Sequence, residues 1–125
     1  MENNRVMPDQ VKPGCTIFRV TAPGHRPPRV EELLVKTAPR PHGTNGAMAF
    51  KAQQVIDGKP RRFESFCTLQ DFGIIINDYN MSMTFHDRAN AEAYRDRLIR
   101  QDLTAFEHKR LTKVRIHNLH KFLNG

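Results

Sequence analysis

The sequence predicts an α+β fold: a small, strongly bent antiparallel sheet or SH3-like barrel of about five strands, followed by one or two C-terminal helices. Three observations predict it. Short β-branched and aromatic runs, separated by Pro- and Gly-rich turns, fill residues 14–86. Asp57-Gly58, between two such runs, is a strong signal for a two-residue hairpin. After Asp87 the apolar spacing changes from that of strands to that of helices. A flatter antiparallel sheet with helices packed on one side is the alternative arrangement.

Residues 1–13 are polar and interrupted by Pro8 and Pro13, so a loose N-terminal tail is expected. Pro13-Gly14 reads as a turn into a first strand over Cys15 to Thr21. A loop with Pro23, Gly24, Pro27 and Pro28 follows, and it carries His25, Arg26 and Arg29. Its Pro-rich borders favour a strand rather than a helix for Val30 to Lys36. A second loop, 38–46, holds Arg40 and His42.

Ala47 to Ile56 alternates as a strand, turns at Asp57-Gly58 and returns over Arg62 to Thr68. In the return strand Phe63, Ser65 and Cys67 share one face and Arg62, Glu64 and Phe66 the other. Asp71-Phe72-Gly73 and residues 77–80 read as turns around Ile74 to Ile76, with a last short strand over residues 81–85.

Asp87 is a fitting N-cap for a helix in which Ala91, Tyr94 and Leu98 recur. Thr104-Ala-Phe-Glu107 has the form of a capping box, so a second helix starts there. The expected organisation is a tail (1–13), a β domain (14–86) and a helical extension packed on it (87–125).

The formal charge is +7, which favours polyanionic partners. The charge is uneven: Lys and Arg outnumber acids eleven to five over residues 1–62 and five to two over 101–125, whereas 63–100 hold four against six. Two cysteines, Cys15 and Cys67, make no disulfide framework. No apolar leader is visible, and the aliphatic run at 74–76 is far too short for a membrane span. A cytoplasmic protein without a membrane partner is expected.

The clearest pointer to a partner is the segment from His108 to Lys121, which contains no carboxylate. On a helix, Lys109, Arg110, Lys113, His117, His120 and Lys121 fall within about one third of the circumference. Arg115 is a further cation of the segment. Leu111, Val114, Leu119, Phe122 and Leu123 fall on the other side, which suggests a basic face with an apolar back docked on the body. Arg26, Arg29, Arg40, Arg61 and Arg62 form a second reservoir of cations in loops or at a hairpin end.

No phosphate-binding loop, dinucleotide fingerprint, nucleophile elbow or HExxH motif is present. His86-Asp87 reads more simply as a capping Asp beside a His than as a catalytic pair. Cys67 lacks a neighbour that would stabilise a thiolate. His117 and His120 could join Cys15 and Cys67 on zinc, but without a CxxC the histidines are better read as part of the basic face. No cofactor, metal or catalytic residue is therefore expected.

A non-enzymatic module is the resulting expectation. It would contact DNA or RNA through phosphates, using Lys109, Arg110, Lys113, Arg115, His117, Lys121, Arg26, Arg29, Arg40, Arg61 and Arg62. The alternative is a protein-interaction module docking an acidic surface of a larger host partner. In general style, a small, basic, motif-poor chain of this kind resembles the modulators that phages and plasmids encode. Convergence of the two basic regions would favour the polyanion, and separation the docking arm.

Overall fold

The computed structural model describes residues 4–124. It is an α+β fold with an antiparallel, unclosed sheet followed by two helices. The strands are β1 (Thr16–Thr21), β2 (Arg29–Val35), β3 (Arg40–His42), β4 (Ala47–Ile56), β5 (Lys59–Pro60), β6 (Ser65–Thr68) and β7 (Met83–Phe85). The helices are α1 (Arg88–Arg100) and α2 (Ala105–Asn124).

Seven strands occupy five positions. Ala49 faces Arg40 of β3 on one edge and Thr68 of β6 on the other. Ala52 likewise lies between Val35 of β2 and Ser65 of β6, and Val55 between Glu32 of β2 and Pro60 of β5. Hence β2 and β3 line one edge of β4 as an interrupted strand, and β5 and β6 line the other. The first is interrupted over residues 36–39, where Pro39 lies, and the expected return strand 62–68 is broken over residues 61–64. At the hairpin, Asp57 and Gly58 both have positive φ (52° and 77°), the signature of a tight I′ turn.

Side-chain alternation divides the core between the two faces. Ile17, Leu33, Val35, Phe50, Ala52 and Cys67 point to one side, where Leu69, Phe72 and Ile74 cover them. Segment 69–77 does this by crossing from β6 towards β7, where the Thr84 hydroxyl donates to the Phe72 carbonyl. Val20, Met83 and Phe85 point to the other side, against Ala91 and Tyr94 of α1. Phe18, Val30 and Leu98 flank this second cluster.

The expected loose tail is corrected for residues 4–13; residues 1–3 lie outside the described residues. Val6 and Val11 are fully buried in the first core layer, and the Val6 amide donates to Thr84 on the free edge of β7. Two isolated apolar residues in a polar stretch give no periodic signal, which is why the docking was not legible locally.

Helix α1 starts where expected. Asp87 accepts from the Asn90 amide at 3.0 Å. The Asn90 and Asn4 side chains, together with that amide, hold its carboxyl below the usual range. Helix α2 opens on the predicted capping box: the Glu107 amide donates to the Thr104 hydroxyl, and the Thr104 amide donates to Glu107 Oε1.

Glu107 also pairs with Arg97 of α1. Burial by itself would raise its carboxyl, but the Thr104 amide and Arg97 together hold it below 4.5. A depressed folded-state value means that this stabilisation is present above about 4.5 and is lost as pH falls through the folded value. Glu107→Gln is therefore expected to cost about 1 kcal/mol at neutral pH, with a difference from wild type that shrinks as pH falls below 4.5. Denaturant midpoints across pH 3–7 test this; a difference that is constant with pH would contradict it.

Candidate nucleic-acid interface

The basic segment forms one helix, but its cations do not share one face. Lys109, Lys113, His117 and Lys121 are exposed, as the pattern predicts. Lys113 lies 3.7 Å from Asp78, and the His117 ring sits 4.8 Å from that of Tyr79. These contacts border an open cleft of about 550 Å³ between α2 and the 77–80 turn.

Arg110 is different. It is only 3% exposed, and its guanidinium donates to the Asn77 carbonyl at 2.7 Å and the Asn80 carbonyl at 2.8 Å. Burial shifts its pKa downward. Arg110 thus clamps α2 to the turn and presents no charge to a ligand, which corrects its place on the basic face.

Arg115 is also exposed, about 160° around α2 from Lys113. It shares a small cleft with Arg26, Pro28 and Leu111, and Arg26 and Arg29 together line the adjoining Pro-rich surface. The juxtaposition follows from how α2 docks. Val114 is buried with Ala22 and Met81, and the Asn118 side chain donates to the Pro23 carbonyl at 2.9 Å. Gly24 permits the approach, since a Cβ there would stand 2.7 Å from Val114 Cγ1.

Arg40, Arg61 and Arg62 lie elsewhere. Arg40 is on β3 at one edge of β4, and the Arg61 amide donates to Gln54 at the other edge. Arg62 lies 5.9 Å from the Phe63 ring centroid. None of the three has a described hydrogen bond, ion pair or ring contact with α2. One branch of the second reservoir thus meets the helix and the other does not.

The expected apolar back of α2 is corrected in its distal half. Leu111 and Val114 pack on the body, but Leu119, Phe122 and Leu123 are exposed, Phe122 by 84%. The Asn118 bond is the last described hydrogen bond from α2 to the body, and the helix runs on past it. Ile116, Leu119 and Leu123, all exposed, then fall within about 60° of each other, roughly opposite Val114.

Sequence reasoning did not single out a cluster on the sheet. Opposed residues on paired strands share a face, so Arg40, His42, Ala47, Ala49, Lys51, Phe66 and Thr68 all point away from the first core layer. Phe66 and His42 stack with centroids 4.0 Å apart and planes at 17°. Lys51 Nζ lies 5.2 Å from the Phe66 ring centroid. The period-two pattern contained these placements, but only the strand register joins His42 to Phe66.

The remaining chemistry candidates are placed as follows. Burial raises the Cys67 thiol to about 11, and Asp87 is engaged in capping α1. The His86 ring meets the Gln10 side chain at 2.9 Å. Among the described residues no three His, Cys, Asp or Glu side chains gather as metal ligands. No helix among them is long and apolar enough to cross a membrane.

No curated protein and no solved structure matches the chain. A family model described as Phage g100-like protein matches residues 5–98, which covers the sheet and nearly all of α1. The match spans more than half of the sequence, and the chain accordingly belongs to the Phage g100-like protein family.

Proposed function

We propose that this phage-type protein is a non-enzymatic module that contacts nucleic acid through phosphates and works in the cytoplasm. The observation that supports this is that Arg26 lines both the cleft it shares with Arg115 and the adjoining surface it shares with Arg29. Three guanidiniums, from the loop before β2, the first residue of β2 and α2, offer neighbouring donors for phosphate oxygens. The reading is tested by the salt dependence of DNA and RNA binding. Arg26→Glu, Arg29→Glu and Arg115→Glu together should lower the slope of log K against log salt by about 2–3. An unchanged slope would remove these arginines from the interface.

A second reading, docking on an acidic surface of a larger host protein, draws on a different observation. The exposed Ile116, Leu119 and Leu123 adjoin the exposed Lys109 and Lys113, on a stretch without carboxylates. Such a face fits an apolar groove rimmed by acids. A nuclease-resistant complex with one protein, lost in Leu119→Asp, would favour this reading over the first.

A further inference from the structure

We propose that the outer face of β3, β4 and β6 is a stacking site for the bases of a single-stranded nucleic acid. The proposal rests on the nucleic-acid reading and sharpens it to a strand class and to a second surface.

Helix α1 covers this side of the sheet only over β1, β2 and β7. Among the described residues no helix packs on the same side of β3, β4 and β6. Two small residues, Ala47 and Ala49, run along its middle strand, with His42 and Arg40 opposite them on β3. Thr68 and Phe66 stand opposite Ala49 and Lys51 on β6. The short side chain at Ala49 lets the His42 and Phe66 rings meet above the strand.

The stacked pair is open to solvent. Phe66 is 52% exposed and His42 is exposed. A parallel stack at 4.0 Å is the arrangement that a nucleobase extends, because every base has a π-face and aromatic platforms bind single strands without reading sequence. In a duplex the bases are already stacked on one another and cannot reach such a ledge.

Charge selects the occupant. Across β3, β4 and β6 the ionisable side chains facing outward are Arg40, His42 and Lys51, and none of these strands contains an Asp or Glu. Lys51 is beside the Phe66 ring, and Arg40 is beside the ledge on β3. Cations flanking exposed rings fit a phosphodiester chain whose bases turn onto the rings. A second copy of the chain would instead bring cation against cation.

The chain contains no Trp, so Phe66→Trp installs a single fluorescent reporter on the ledge. The probes are an oligothymidylate of about 12 nucleotides, an abasic strand with the same phosphates, and a duplex of equal length. Expected are quenching of the introduced indole's fluorescence by oligothymidylate but not by the abasic strand, and weaker binding of the duplex. Phe66→Ala should lower oligothymidylate affinity about tenfold without changing abasic binding, and Phe66→Tyr should restore it.

Equal binding of abasic and base-bearing strands would overturn the stacking site and leave phosphate contact standing. Binding of none of the three probes would overturn both readings. Equal competition by polyglutamate would reduce the face to a bare charge patch and overturn the proposal. Phe66 is half exposed, and the unfolding midpoint of Phe66→Ala separates lost binding from lost fold.

Discussion

Gly73→Ala is expected to destabilise the protein by on the order of 4 kcal/mol. Gly73 has φ +65°, and a Cβ built there stands 1.7 Å from the Ser82 carbonyl oxygen and 2.7 Å from the Met83 amide nitrogen. Both are backbone atoms at the start of β7, so no side chain can swing aside. The crossing segment 69–77 would have to lift away from the strand. That movement strains the Thr84-to-Phe72 hydrogen bond and the Arg5-to-Ile74 hydrogen bond, and it opens the layer over Phe50 and Val35. Gly46→Ala is the matched control. Its φ is +68° and a Cβ there would meet nothing beyond its chain neighbours within 4 Å, so it carries only the left-handed backbone cost of about 1 kcal/mol. Guanidinium denaturation of the two variants measures the difference. A Gly73→Ala variant as stable as Gly46→Ala would contradict the close approach of the segment to β7.

The features that were legible before the structure are those whose causes are local. The Asp57-Gly58 turn, the Asp87 cap and the Thr104–Glu107 box each depend on residues at most three apart, and each is where the pattern put it. The order of strands then helices followed from periodicity, and it carried the α+β class with it. The count of about five strands matches the five positions in the sheet, although the breaks at 36–39 and 61–64 divide two of them.

Other features depended on contacts distant in sequence. Val6 is buried because its segment docks on β7 and its side chain packs in the first core layer, and nothing near Val6 announces this. An amphipathic pattern shows which residues of α2 share a face, but not where the body beneath the helix ends. For that reason Leu111 and Val114 are buried while Leu119, Phe122 and Leu123 are exposed. The meeting of Arg26 with Arg115 likewise arises from the docking of α2 on residues 22–24 and has no counterpart in spacing.

Arg110→Ala is expected to cost on the order of 3 kcal/mol, against less than about 0.5 kcal/mol for its exposed neighbour in Lys109→Ala. The difference comes from what each side chain touches. Asn77 organises the turn, its side-chain oxygen accepting from the Tyr79 and Asn80 amides and its nitrogen donating to the Gln70 and Ile75 carbonyls. The backbone carbonyls of Asn77 and Asn80 remain, and Arg110 satisfies both. Removing the guanidinium leaves two acceptors under α2 without their charged donor and a void beside Val114. Arg110→Lys should recover only part of the loss, since an ammonium lacks the planar fork that reaches two carbonyls at once. Chemical denaturation with hydrogen exchange of the 77–80 amides tests this: equal midpoints for Arg110→Ala and Lys109→Ala would refute the clamp. The same pair bears on function. On the proposed interface, Arg110→Ala should weaken polyanion binding by loosening the helix that carries Arg115, whereas Lys109, about 120° around α2 from Arg115, lies off that interface. Lys109→Ala should leave both the salt slope and the unfolding midpoint in place.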